Sequence, residues 1–386
     1  VGGDLVTVYE YCYCSREDAQ RAIDFKDGIT TEVQYKTDRA VQSITRNIEG
    51  HLHRLFVPWD GTKWWDFPNY QYAQPWELFL DWNDVLCLTN FSSGGVNIPL
   101  NTCFLRPANK RPAFPWTKIE LDRSTSSTFG GNSQTPQNAI EVEATWGFTG
   151  EADPVADLAA EVTSGTTPIT VTNGALLGVG DLLILGYARG TPPYPDDTLG
   201  HAGTIAPYVG ERVLVQDRSA LDTGLAQSGD GCSTASTADD QLEWTGSGNP
   251  PNTGEVLLLD SEQMLVQMVV NGIATVERAW NGTVLTAHGP GAEIYAYRSL
   301  TVQRGAQGTP AQSWPEATAV YRHRVPQLVR DLAIGEAVNR ILQETAGYSR
   351  MVGSGDAARP ASGMALADLW EECRTEYGRQ ARSRAV

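Results

Sequence analysis

In this 386-residue chain the periodicity of an amphipathic helix is confined to the two ends, and that restriction governs what can lie between them. Near the start, Ser15 followed by Asp18 reads as an N-cap with an acidic third position, opening a short helix through Phe25 that Gly28 breaks. Thr30 or Thr31 opens a second helix to about Leu55, with Val41, Ile44, Ile48, Leu52 and Leu55 on one stripe, stopped by Pro58. The pattern returns after Pro310. Pro326 suits a first helical turn, Val325, Leu328, Val329, Leu332, Ala333, Ala337, Val338 and Ile341 form an apolar face, and Gly347 is placed to cap the C-terminus. A Gly-, Ser-, Ala- and Pro-rich linker at 352–363 precedes a last helix striped by Leu366, Leu369, Trp370, Cys373 and Tyr377. A lone amphipathic helix cannot bury its stripe, so early and late helices are expected to pack on one another.

Between them the pattern changes. Asp60-Gly61 and Gly94-Gly95 mark tight turns, Pro107, Pro112, Pro115 and Pro136 forbid long helices, and Ala139–Thr145 alternates like a strand. Residues 150–310 are dense in Gly, Thr and Asp. They contain an echo: Gly180-Asp181-Leu182-Leu183-Ile184-Leu185 resembles Gly254-Glu255-Val256-Leu257-Leu258-Leu259, too imperfect for a solenoid or propeller. The expected fold is α+β, a helical bundle of N- and C-terminal helices interrupted by a large β-rich insertion. Its parts are helices at 1–57, a β-rich segment at 58–149, a second β-rich insertion at 150–310, and helices completing the core at 311–386.

Charge narrows the partners. A net charge of −17 and a pI near 4.7 are opposite in sign to a protein that grips nucleic acid, although acidic walls let DNA pass without sticking. No run approaches the roughly 20 apolar residues of a membrane span. Val1-Gly2-Gly3-Asp4 has no signal-peptide character and suits a terminus from which Met has been removed. The six cysteines, at 12, 14, 87, 103, 232 and 373, match neither a disulfide framework nor a zinc site, and read as free thiols of a reducing cytosol.

Catalytic chemistry lacks its parts. There is no G-x-S-x-G elbow and no phosphate loop. His51 and His53, two apart on a helix, point to different faces, so no metal is expected there, and no cofactor anywhere. Asp81 and Asp84 read as turn residues rather than a catalytic pair. Asp196-Asp197 and Asp239-Asp240 read as solvated loop charge rather than calcium ligands. Six of eleven tryptophans, Trp59, Trp64, Trp65, Trp76, Trp82 and Trp116, crowd the first β segment, where core or intersubunit anchoring is a better account than sugar stacking.

Four stretches, in this order, resemble the head-to-tail adaptors of long-tailed bacteriophages, especially those infecting actinobacteria. They are Arg54–Thr62, Leu80–Leu86 with Ser92–Gly95 and Lys118–Asp122, Ser261–Val266 with Val276–Thr283 and Ala287-His288, and Glu336–Asn339 through Gln343–Arg350. The likeness spans most of the chain, and similar proteins vary in inserted β material over 186–252. It implies a structural, non-enzymatic virion protein of the neck, made in the host cytoplasm: a dodecameric ring under the portal that continues the DNA channel and offers a platform to a stopper or tail-completion protein. The docking arm would be the final helix and its basic end: Leu366, Leu369, Trp370, Cys373, Arg374, Tyr377, Arg379, Arg382 and Arg384. A stopper, a tail terminator, and a β-rich carbohydrate-binding or adhesion protein of the virion are the alternative readings.

Overall fold

A computed structural model describes residues 10–23, 31–67, 75–111, 114–130, 135–345, 351–352, 359–360 and 364–379. Its described helices are α1 (Arg16–Ile23), α2 (Thr31–Leu52), α3 (Gln327–Thr345) and α4 (Met364–Tyr377). The start of α1 is set by a reciprocal cap: the Asp18 N–H donates to Ser15 Oγ at 3.1 Å and the Ser15 N–H to Asp18 Oδ2 at 3.0 Å. The stripe Val41, Ile44, Ile48 and Leu52 is buried against Val329, Leu332, Ala333 and Ala337 of α3, with Leu55 and Leu328 at the margin. Ile341 is buried and Val338 half-buried. Each fully buried Ile or Leu contributes about 1.5–3 kcal/mol, so this stripe outweighs any single polar contact in the platform. Gly347 lies outside the described residues.

The helices do not amount to a bundle with an insertion. The chain is 36% strand and 22% helix, so the expected helical bundle is a minor platform on a mostly β protein. Helical stripes stand out in the sequence because helical periodicity is local, whereas closure of a barrel depends on pairings far apart in sequence.

The first β unit comprises β1 (Trp59–Trp65), β2 (Glu77–Phe79), β3 (Val85–Ser93), β4 (Val96–Asn97), β5 (Cys103–Arg106), β6 (Lys118–Leu121) and β7 (Ile140–Trp146). They form two antiparallel sheets, ordered β1-β7-β3-β4 and β2-β6-β5, closed over a core that includes Leu78, Leu80, Phe91, Ile119, Ile140 and Trp146. β1 pairs with β7 on one side and stands at the sheet's edge.

Ten further strands follow: β8 (Ala152–Asp157), β9 (Ile169–Thr170), β10 (Leu182–Arg189), β11 (Tyr208–Ser228), β12 (Gln241–Gly246), β13 (Val256–Leu259), β14 (Glu262–Val270), β15 (Ile273–Glu277), β16 (Glu293–Gln303) and β17 (Ala319–His323). A small pair, β18 (Met351–Val352) and β19 (Arg359–Pro360), precedes α4. The ten strands close into two six-stranded barrels that share the long strands β11 and β16. The first runs β8-β17-β10-β11-β16-β9 and closes through the Leu158–Val171 bridge. The second runs β11-β16-β13-β14-β15-β12 and closes through the β11–β12 pairing. Each interior is apolar: Leu183, Leu185, Val213, Val215, Leu300 and Val302 fill the first, and Leu242, Leu257, Leu259, Met264, Val276 and Ala296 the second. Closure removes the open edges that long strands would otherwise present.

The barrels are copies of one design. With strands numbered by sequence within each barrel, both rings run first, sixth, third, fourth, fifth, second. The registers match too. Leu185 opposite Glu211 corresponds to Leu259 opposite Glu262, Leu185 opposite Val320 to Leu259 opposite Ile294, and Leu214 opposite Gln303 to Leu265 opposite Glu277. The Gly180-Asp181 and Gly254-Glu255 echo marks the start of the third strand in each. Gly180 and Gly254 donate to the carbonyls of Val215 and Val266, whose own N–H groups bond Asp181 and Glu255. The second barrel is nested between the fourth and fifth strands of the first.

Candidate interaction surfaces

Two buried glutamates, one per barrel, centre matching polar networks. Glu262 receives Arg278 Nε on Oε1 at 2.7 Å and Nη2 on Oε2 at 2.9 Å, with the Ala279 and Thr286 N–H groups and His288 Nε2 completing its shell. Glu211 receives Arg304 Nε and Nη2, both at 2.7 Å, with the Gly305 and Gln312 N–H groups and Trp314 Nε1 in corresponding places. Burial pushes both carboxyls up, but the arginine and N–H donors outweigh it, and Glu262 is held at about 2 and Glu211 below its usual value. A third pair, Arg298 with Glu255, is also buried. These acids are spent on fold: each carboxylate already accepts several internal donors.

Histidines are used similarly. His201 lies between Asp197 Oδ2 at 2.7 Å and Asp122 Oδ2 at 3.0 Å, stacked on Phe104, beside an open pocket of about 590 Å³ that includes Asp196. His288 also faces Asp260 at 2.8 Å. His51 meets Trp370 and His53 meets Trp82 with tilted rings, and α2 ends at Leu52, so His53, at φ of 51°, lies past the helix and not on it as expected. Asp239 caps the N–H groups of Cys232 and Thr234. Among the described residues no group of three or more His, Cys, Asp or Glu is arranged to hold a metal. All six cysteines are buried and free.

The expected docking helix is bound to its own chain. Leu366, Leu369, Trp370 and Tyr377 pack on the platform core, and Cys373 is fully buried. Trp370 Nε1 donates to Glu336 Oε1 at 2.6 Å. Arg379 pairs with Asp84 and the Asp81 carbonyl, and its N–H reaches Leu52 O at 3.2 Å. Asp84 is therefore an ion-pair residue rather than a turn residue, while Asp81 accepts Trp65 Nε1 at 2.9 Å. Arg374 is exposed beside Glu371. Arg382 and Arg384 lie outside the described residues. What α4 presents outward is an acidic groove of about 720 Å³ lined by Leu328, Asp368, Glu371, Glu372, Thr375 and Glu376.

The tryptophans divide. Trp65 is buried, and Trp59 and Trp76 are half-buried against Lys63 and Arg123. Trp116, also half-buried, lies under Lys110. Trp64 and Trp82 are 54% and 58% exposed, large apolar surfaces that the fold itself leaves uncovered.

Comparison with known proteins adds no name: no family model, no curated protein and no solved structure matches this chain. Sequence reasoning missed the two glutamate networks. Their signal was present: Glu211-Arg212-Val213-Leu214-Val215-Gln216 against Glu262-Gln263-Met264-Leu265-Val266-Gln267, and an arginine followed at four and five positions by Gly-Thr, at Arg278 and Arg304.

Proposed function

We propose that this chain is a non-enzymatic structural subunit of a virion neck, a head-to-tail adaptor that assembles with copies of itself beneath the portal. DNA would pass through the ring without sequence-specific contact, and a stopper would bind the far side. The observation that carries the reading is the contrast between what the fold buries and what it leaves outward. The buried acids and their arginines are consumed in networks, whereas the large features left outward are aromatic and acidic surfaces, Trp64, Trp82 and the α4 groove. Such surfaces suit assembly. The acidic balance suits a channel wall.

Portal contact would use the outer face of α4. Deleting 364–386 would strip Trp370 and Cys373 from the core, so substitution is the cleaner test. Glu371→Lys with Glu372→Lys should abolish co-sedimentation with portal while leaving the melting temperature within about 2 °C of wild type. Unchanged portal binding would remove α4 from the docking surface. A stopper or tail-terminator is the second reading, and the two closed barrels favour it. Binding to the far side of a preassembled adaptor ring, instead of to portal, would establish it.

A further inference from the structure

We infer that the Arg278–Leu285 turn of the second barrel is a head-to-tail docking element, seated on the β1 edge of a second copy of this chain. The duplicated turn of the first barrel shows what such a turn does. There Gly308 lies against the Asp60 carbonyl so closely that a Cβ would collide with it, and Ala306 is buried in the platform core. Arg212 pairs with the Asp60 carboxylate at 2.9 Å and bonds the Gln307 carbonyl at 3.2 Å. The first turn is thus plugged into the first residues of β1.

The second turn has the same backbone. Ala279 and Asn281 sit at φ of 55° and 55°, as Gly305 and Gln307 do at 62° and 53°, and Thr283 Oγ1 accepts the Gln263 N–H as Thr309 Oγ1 accepts that of Arg212. Its apolar side chains are only partly covered by the described residues, with Trp280 half-buried. Trp280 replaces Ala306 and belongs to none of the buried cores, Leu285 is half-buried, and Val284 is 75% exposed.

The occupant follows from continuity. β1 already receives one such turn at Asp60. Beyond that point its outer side carries no strand among the described residues, and it displays Trp64. An unpaired edge with an exposed aromatic is a ready template for association. Turn and edge are different surfaces, so the contact is heterologous and propagates from copy to copy until a ring closes or a filament grows. The inference deepens the ring reading and rests on it only for closure.

The test is sedimentation of the full chain across concentration, with Val284→Asp and Trp64→Ala, both at exposed positions. Each should weaken self-association at least tenfold with unchanged melting. A mixture of Val284→Cys and Trp64→Cys chains should form a disulfide-linked pair that neither forms alone. Filaments or open chains sensitive to both substitutions would uphold the interface and refute the ring. Rings insensitive to both would overturn the interface and leave the ring reading standing. A Val284→Cys chain that crosslinks to itself, or a wild-type chain monomeric at every concentration, also overturns it.

Discussion

Glu211 and Glu262 hold one post in two barrels: each lies opposite the fourth residue of a third strand, and each is gripped by an arginine just past the end of a fifth strand. Removing one partner of a buried, hydrogen-bonded pair costs about 3–5 kcal/mol, because the other charge is left behind. Glu262→Gln should therefore raise amide exchange across residues 221–298 by at least a hundredfold while the platform helices stay protected. Equal exposure of both regions would mean that the barrels do not unfold separately.

Nesting makes a stronger prediction. Ser219 and Ser299 are paired neighbours just beyond the β16–β9 ladder, so the chain can be rejoined there. The second barrel makes the same connection with Asn271-Gly272, both at positive φ, the geometry of a tight hairpin turn. Replacing residues 220–298 by Asn-Gly keeps the Ser299 and Leu300 pairing with β9 and should give a folded protein that retains the platform and one barrel, with a cooperative melt and no gain in dye binding. An uncooperative melt would show that the first barrel needs the second.

Acid stability depends on His323. Its Nε2 faces the Phe56 carbonyl at 2.8 Å, and burial, partly offset by that bond, pushes the imidazole down to about 4. The unfolded chain takes up this proton near pH 6.5, so the contribution is intact above that value and is lost as pH falls from 6.5 through 4, by up to roughly 3 kcal/mol. Asp181, which burial holds at about 6 despite Arg322, acts oppositely: its folded form gains the proton first, and stability rises as pH falls below 6. The readout is therefore a difference. Urea midpoints of wild type and His323→Gln should converge between pH 7 and pH 4, and a constant gap would contradict the assignment.

The anchor of α4 is Asp84, 2% exposed between Arg379 and Arg54. Asp84→Asn leaves two guanidinium groups facing each other without their counter-charge. The end of α4 should loosen, and the Cys373 thiol, pushed up to about 11 by burial, should label at least tenfold faster with a maleimide. Unchanged labelling would mean that packing of Trp370 and Tyr377 alone holds the helix.

These particulars show what was legible. The α2 and α3 stripes and the Ser15–Asp18 cap were readable because their signals are local. The stripe of α4 was equally readable, but a stripe does not say whether its cover is the same chain or another. Asp84 looked like a turn because its arginine is almost three hundred positions away. The duplicated barrel escaped for a related reason. One copy is split around the other, so Glu211 and Arg304 stand on either side of a whole domain, and no fixed repeat length exists to be found.

The ring is the central claim, and direct imaging of the full chain incubated with portal tests it best. Electron microscopy should show closed rings of this protein seated under the portal, with barrels projecting away from it and a channel wide enough for duplex DNA. A population of monomers that leaves portal bare, at concentrations far above those of assembly, would contradict the account.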